Sequence, residues 1–167
     1  MEREPGQGLD QVRGVSRERG FALERGLNEG WWVLRLGLGL MAFLAGLDKF
    51  FNLLAHWEGY LSPAVSRLVP LSPPVFMDVV GIIEMVVGLC LLFTRYTRAF
   101  AYIVMIWLLG IAANLIIGRR FFDVAVRDII IALAAFTLAK LSEHRLHVHA
   151  GEPVIVAPDM RPVHGHA

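Results

Sequence analysis

Long apolar runs separated by short clusters of charge constrain this chain more than any other feature of its sequence. A helix crossing about 30 Å of hydrocarbon needs roughly 20 mostly apolar residues. Four runs reach that length: Trp31–Leu54, Pro74–Phe93, Ala99–Ile117 and Phe122–Leu141. Charge gathers outside them, in Met1–Gly30, at Arg95–Arg98, from Arg119 to Asp128 and after Lys140. Only 19% of residues are charged, against about 25% in soluble domains, and the deficit lies in the runs. None of the runs alternates polar and apolar positions, which excludes the strands of a membrane barrel. The expected fold is all-α, an integral membrane four-helix bundle over residues 31–141.

Residues 1–30 read as a polar, flexible segment, and 142–167 as a flexible, His-rich tail. The start "MEREPGQGLDQVRGVSRERG" mixes charges and has no apolar core before a cleavage site, so it does not read as a signal peptide. Trp31 and Trp32 suit the headgroup belt. His144, His147 and His149 lack acidic or thiol partners at firm spacing, so no metal site is expected. Cys90 stands alone, which excludes a thiol–disulfide relay within the chain. A net charge of +1 gives no nucleic-acid surface.

Basic residues set the orientation. Arg3, Arg13, Arg17, Arg19 and Arg25 precede the first run, Arg95 and Arg98 follow the second, and Lys140, Arg145 and Arg161 follow the fourth. Only Arg67, Arg119 and Arg120 fall on the opposite side. Both termini are therefore expected in the cytoplasm, in a cell (inner or plasma) membrane. The outer connection, Asn52 to Pro73, holds two Ser-Pro pairs. Ser62 with Pro63 predicts a short interfacial helix, and Ser72 with Pro73 predicts the start of the second span.

The polar residues of the spans crowd into the outer half, apart from Arg35 at the inner entrance. At about 1.5 Å per residue, Glu84 lies about 15 Å below the outer end of its helix, near mid-membrane, and Asp78 about one turn down. Asp48, Lys49, Asn114, Asp123, Arg127 and Asp128 fall at comparable outer levels. Small residues share their helical faces: Gly39, Ala42 and Gly46 with Lys49; Gly81 and Gly88 with Glu84; Gly110 with Asn114; Ala132, Ala135 and Ala139 with Asp128. Small residues mark close helix contacts in membranes. The stripes predict a bundle with a polar pocket open outward, in which Lys49 matches Asp78 in depth and Arg127 reaches toward Glu84. Intramembrane charges cost about 2.5–3.5 kcal/mol each on insertion scales, so pairing is expected. Glu84 is expected to face the bundle interior, on the side of the first and fourth spans. The pairs could simply pin the helices in register; the functional reading is a site for a polar or anionic small molecule, or for proton transfer.

These residues resemble a known family. "LRLGLGLMAFLAGLDKFFN" (Leu34–Asn52), "GIIEMVVGLCLLFTRYTRAFA" (Gly81–Ala101) and "VRDIIIALAAFTLA" (Val126–Ala139) are similar to the DoxX/DoxD-like small four-helix membrane proteins. The resemblance covers about Leu34 to Leu141. Gly46 and Lys49 match its Gly-x-x-Lys-like element, Gly81, Glu84 and Gly88 its Gly-x-x-Glu with a following Gly, and Arg95 or Arg98 its basic residue after the second helix. It implies a membrane subunit of a redox system, of which thiosulfate:quinone oxidoreductase is the best-described example.

On that reading quinone is the implied cofactor, none is bound covalently, and Glu84 is the catalytic candidate for proton exchange. Lys49, Arg127, Asp78, Asp48, Asn114 and Asp128 are the candidate binding residues for quinone or a small anion. The expected partners are the lipid bilayer and either a redox subunit or a second copy of the chain. With one cysteine, and His56 alone near the spans, the sequence lacks ligand sets for haem or iron–sulfur centres. Two further classes compete: a small proton-coupled carrier, disfavoured because no Gly/Pro break interrupts a span, and a membrane scaffold without catalysis.

Overall fold

The computed structural model describes residues 5–149, with side chains from 18 to 145. Those residues form helix α1 (Pro5–Asp48), a 3-10 turn (Trp57–Tyr60), and helices α2 (Pro63–Leu68), α3 (Pro73–Phe93), α4 (Thr97–Ile117) and α5 (Phe122–His149). No strand occurs among the described residues. Three helices are long and apolar enough to cross a membrane: α1 within Glu18–Asp48, then α3 and α4. The fourth expected crossing does not meet the same measure. In α5 the apolar run Ile129–Ala139 lies between Asp128 and Lys140, with Asp123 and Arg127 close by.

Element ends follow local chemistry. Ser62 caps α2 by accepting from the Val65 N–H at 3.3 Å, with Pro63 at the first helical position. Pro73 opens α3 after Ser72, whose extended backbone makes the entry without a side-chain cap. Two expectations need correction. Residues 5–30 are helical and continuous with α1, and α1 stops at Asp48 instead of running to Leu54. The tail, too, remains helical through His149; the metal candidates His147 and His149 lie outside the described side chains.

Two helix pairs make the body: α1 packs on α3, and α4 on α5, with lighter contacts from α1 to α5 and from α3 to α4. The α1–α3 seam is built on glycine. A β-carbon on Gly46 would stand 2.6 Å from the Gly81 carbonyl oxygen, and one on Gly88 would stand 2.7 Å from that of Gly39. The backbones therefore touch at two levels, about two turns apart on each helix, as small-residue stripes permit. The α4–α5 seam uses alanine and leucine: Ala101, Val104, Leu108, Ala112 and Leu115 against Ala125, Ala132, Ala135, Leu138 and Ala139. Gly110, expected in a stripe, lies off the packed face: a β-carbon added there would meet nothing within 4 Å.

Outward-facing side chains are apolar, with Val75, Val79, Ile82, Val86, Ile106 and Ile130 all exposed. In water such a surface would be a liability; against lipid tails it is the ordinary exterior of a spanning protein. At one end of the body, Trp31 is buried and donates from Nε1 to Ser142 Oγ at 2.7 Å, so of the two tryptophans only Trp32 stays exposed as a belt residue should.

Candidate functional site

The register of the Gly46–Gly81 contact sets the site. Counting outward from it in opposite chain directions puts Lys49 level with Asp78, as depth alone predicts. Side chains on a helix, however, lean toward their own N-terminus. Helices α1 and α3 are antiparallel, so Lys49 leans inward and Glu84, about one and a half turns deeper, leans outward. They meet: Lys49 Nζ forms an ion pair with Glu84 Oε2, and the two side chains are 5% and 9% exposed. Asp78 leans the other way, is half-buried, and is not the partner of Lys49.

The rest of the shell is aromatic. Trp107 of α4 donates from Nε1 to Glu84 Oε1 at 3.1 Å, so both carboxylate oxygens have a donor. Lys49 Nζ also approaches the Ala45 carbonyl oxygen at 3.4 Å and the Trp57 ring centroid at 3.9 Å. All three ammonium hydrogens are thereby accounted for: carboxylate, carbonyl and indole face. Glu84 does face the interior, but between α1 and α4 where α5 was expected as the second wall.

Asp48 serves the chain reversal. Its carboxylate accepts from the Leu53 N–H at 3.0 Å, the Leu54 N–H at 3.1 Å and Trp57 Nε1 at 2.8 Å. It holds the turn that ends α1, in which Asn52 takes a positive φ of 51°, and it aims Trp57 at Lys49. Asn114, expected in the pocket, is instead a clamp on the connection between α1 and α3. Its amide donates to the Tyr60 carbonyl at 2.8 Å and accepts from the Ser62 N–H at 3.1 Å.

Arg127 does not reach Glu84. Its guanidinium bonds Asp128 Oδ1 at 3.2 and 3.3 Å, joining an exposed cation to a carboxylate buried in the bundle. Asp128 still lies within electrostatic range of Lys49. Of the candidate residues, then, Lys49 and Glu84 touch, Asp48 acts on the pair through Trp57, Asp128 acts through space, and Asp78, Asn114 and Arg127 stand apart. Trp57 and Trp107 were not singled out from the sequence. Trp107 is the only donor-bearing side chain between Tyr102 and Asn114 in α4, and its mid-helix position matches that of Glu84.

Arg35 is a second residue with more to do than its position suggests. From α1 it donates to the Leu91, Leu92 and Thr94 carbonyl oxygens at 2.8, 2.9 and 2.6 Å. Those are the orphan acceptors of the last turn of α3, where a cation is also favoured by the helix dipole.

A sequence model of the DoxX family matches residues 30–118, more than half of the chain. The chain belongs to the DoxX family. No curated protein and no solved structure is similar enough to match. In this DoxX protein the matched stretch holds Lys49, Trp57, Glu84, Trp107 and Asn114, and it ends before α5 with Arg127 and Asp128.

Chemically, the Lys49–Glu84 pair sets an ammonium beside a proton acceptor with no net charge between them, and of the three ammonium hydrogens only the one on the Trp57 face lacks an oxygen acceptor. Such a pair suits a neutral carbonyl-bearing ligand better than a free anion, which Glu84 would repel. Among the described residues no cluster of His, Cys, Asp or Glu could hold a metal ion.

Proposed function

We propose that this DoxX protein is the membrane subunit of a quinone-linked redox system. Four helices cross the cell membrane, α5 being the fourth, with both termini in the cytoplasm and α2 lying in the outer interface. The basic residues at the α3–α4 turn and past the apolar run of α5 support that orientation. In α5, Asp128 is turned inward and 4% exposed, while Ile130 and Leu133 face out, which suits a helix with lipid on one side.

The observation that carries the functional reading is the buried Lys49–Glu84 pair. A quinone taking up two electrons also takes up two protons. Lys49 supplies a donor for a quinone oxygen and Glu84 a carboxyl that can pass protons to it. Electrons come from a small reduced sulfur anion, directly or through a partner redox subunit or second copy of the chain. Intramembrane ionisable residues are functional by default, and family membership favours the same class.

The test is a quinone-reduction assay on purified protein in nanodiscs, with thiosulfate as donor and quinol formation followed optically. Quinol should form, and Glu84→Gln should remove far more activity than folded protein. Protein that retains no quinone through purification, and supports no quinone-dependent oxidation of any reduced sulfur anion, would overturn the reading.

A further inference from the structure

The third hydrogen of Lys49 points at an aromatic ring that the protein itself supplies. We propose that Trp57 is an internal plug: its indole occupies the place of a planar, fused two-ring quinone, and ligand binding displaces it. The inference rests on the quinone reading above and adds the ring class that the site takes.

Three features support the exchange. Trp57 is held by a short strap between two firm anchors. On one side Asp48 fixes the Leu53 and Leu54 N–H groups. On the other, Asn114 fixes Tyr60 and Ser62, and the Tyr60 ring packs edge-on against Phe121 at 4.6 Å. Only residues 55–59 lie between the anchors, none of the turn residues Trp57–Tyr60 is buried, and Gly59 has open space around it.

Departure of Trp57 also leaves no buried polar group stranded among its former partners. Asp48 keeps backbone N–H donors on both oxygens, from Leu54 to each and from Leu53 to Oδ1. Glu84 keeps Lys49 and Trp107. Asp48 gives up one donor of several, the Trp57 indole N–H, and the ammonium gives up the indole face but regains a contact from a ring carbonyl oxygen at the edge of the incoming ligand.

Finally, the slot is already filled by a fused bicycle with its centroid 3.9 Å from Lys49 Nζ. A naphthoquinone matches that two-ring area, tipped so that a carbonyl oxygen and not the ring face meets the ammonium, whereas a one-ring benzoquinone covers less of it. The ligand must also be neutral, because Lys49 is already balanced by Glu84.

The test uses the full chain in phosphatidylcholine nanodiscs, titrated with 2,3-dimethyl-1,4-naphthoquinone and with tetramethyl-1,4-benzoquinone. Both probes are fully substituted, so neither can add to Cys90. Binding is followed by quenching of indole emission, to which Trp107 contributes in every variant. A plug lowers apparent affinity by the fraction of sites it leaves open, so Trp57→Ala should bind the naphthoquinone about tenfold tighter than wild type. Trp57→Phe, which keeps a smaller ring and guards against misfolding of the alanine variant, should fall between. The benzoquinone should bind roughly fivefold more weakly than the naphthoquinone, in keeping with its smaller apolar area. Equal or weaker naphthoquinone binding by both variants would overturn the plug and leave the quinone reading standing. Absence of binding by all three proteins would overturn the quinone reading, and the plug with it.

Discussion

Gly46 of α1 and Gly81 of α3 are in backbone contact: a β-carbon on Gly46 would stand 2.6 Å from the Gly81 carbonyl oxygen and 2.8 Å from the Met85 nitrogen. Both neighbours are main chain and cannot rotate away. Gly46→Ala and Gly81→Ala should therefore each force the helices apart, at about 1–3 kcal/mol. Unfolding in detergent should show the loss. Gly110→Ala, with nothing within 4 Å, is the control and should be neutral or slightly stabilising.

The seam that this contact closes also brings Lys49 to Glu84. Glu84→Gln leaves a buried ammonium without its counter-charge and should cost about 3 kcal/mol. The joint change Lys49→Met with Glu84→Met should recover most of it, since it removes both charges together. A double-mutant cycle built from Lys49→Met, Glu84→Met and the joint change, read in unfolding free energies, gives the coupling. Additive single effects would show that the pair is not coupled in the folded protein.

Arg35 caps α3 through three carbonyl oxygens. Arg35→Ala should cost about 1–3 kcal/mol by leaving acceptors unmet. Lysine has one nitrogen where arginine has a fork, so Arg35→Lys should restore only part. Hydrogen exchange at the α3–α4 turn should quicken in the order wild type, lysine, alanine.

Beyond the apolar run of α5, the Glu143 carboxyl is held below its ordinary range, first by the hydrogen bond from Lys140 and then by that from Tyr102. A carboxyl whose folded value is depressed adds stability above its unfolded value of 4.5, and loses it as pH falls through the lower folded value. Wild type and Glu143→Gln should accordingly differ in denaturation midpoint at neutral pH and converge in acid. A gap that persists unchanged below pH 4.5 would count against the assignment.

How far the sequence could be read depended on the kind of signal. The stripes Gly39–Gly46, Gly81–Gly88 and Ala132–Ala139 were visible because helical spacing fixes a shared face whatever the partner. The Ser-Pro starts of α2 and α3 were visible because their chemistry is local. Lys49 and Glu84 stood out as charges in apolar runs, but their pairing did not. Depth put Lys49 beside Asp78, while the lean of side chains on antiparallel helices takes it inward to Glu84. Asn114 read as a pocket residue because its partners are backbone atoms of a connection, which carry no side-chain signature. Trp107 was hidden by residue type, since tryptophan in an apolar run reads as hydrocarbon until its N–H is given a partner. The helical start of α1 escaped notice because its mixed charge and scattered glycines lack an apolar face.

That start has a mechanical consequence. Helix α1 is 44 residues in one piece, about 66 Å long and some twice the thickness of a hydrocarbon layer. Its far tip carries Asp48 and leads directly into Lys49, while its near half is rich in arginine and glutamate. A helix is stiff on this scale, so torque applied to the polar half is delivered to the tip as rotation, with no loop to absorb it. A few degrees of turn there would alter the angle at which Lys49 meets Glu84 and the grip of Asp48 on Trp57. In this architecture the charged end of α1 and the ion pair stand at opposite ends of one continuous rod.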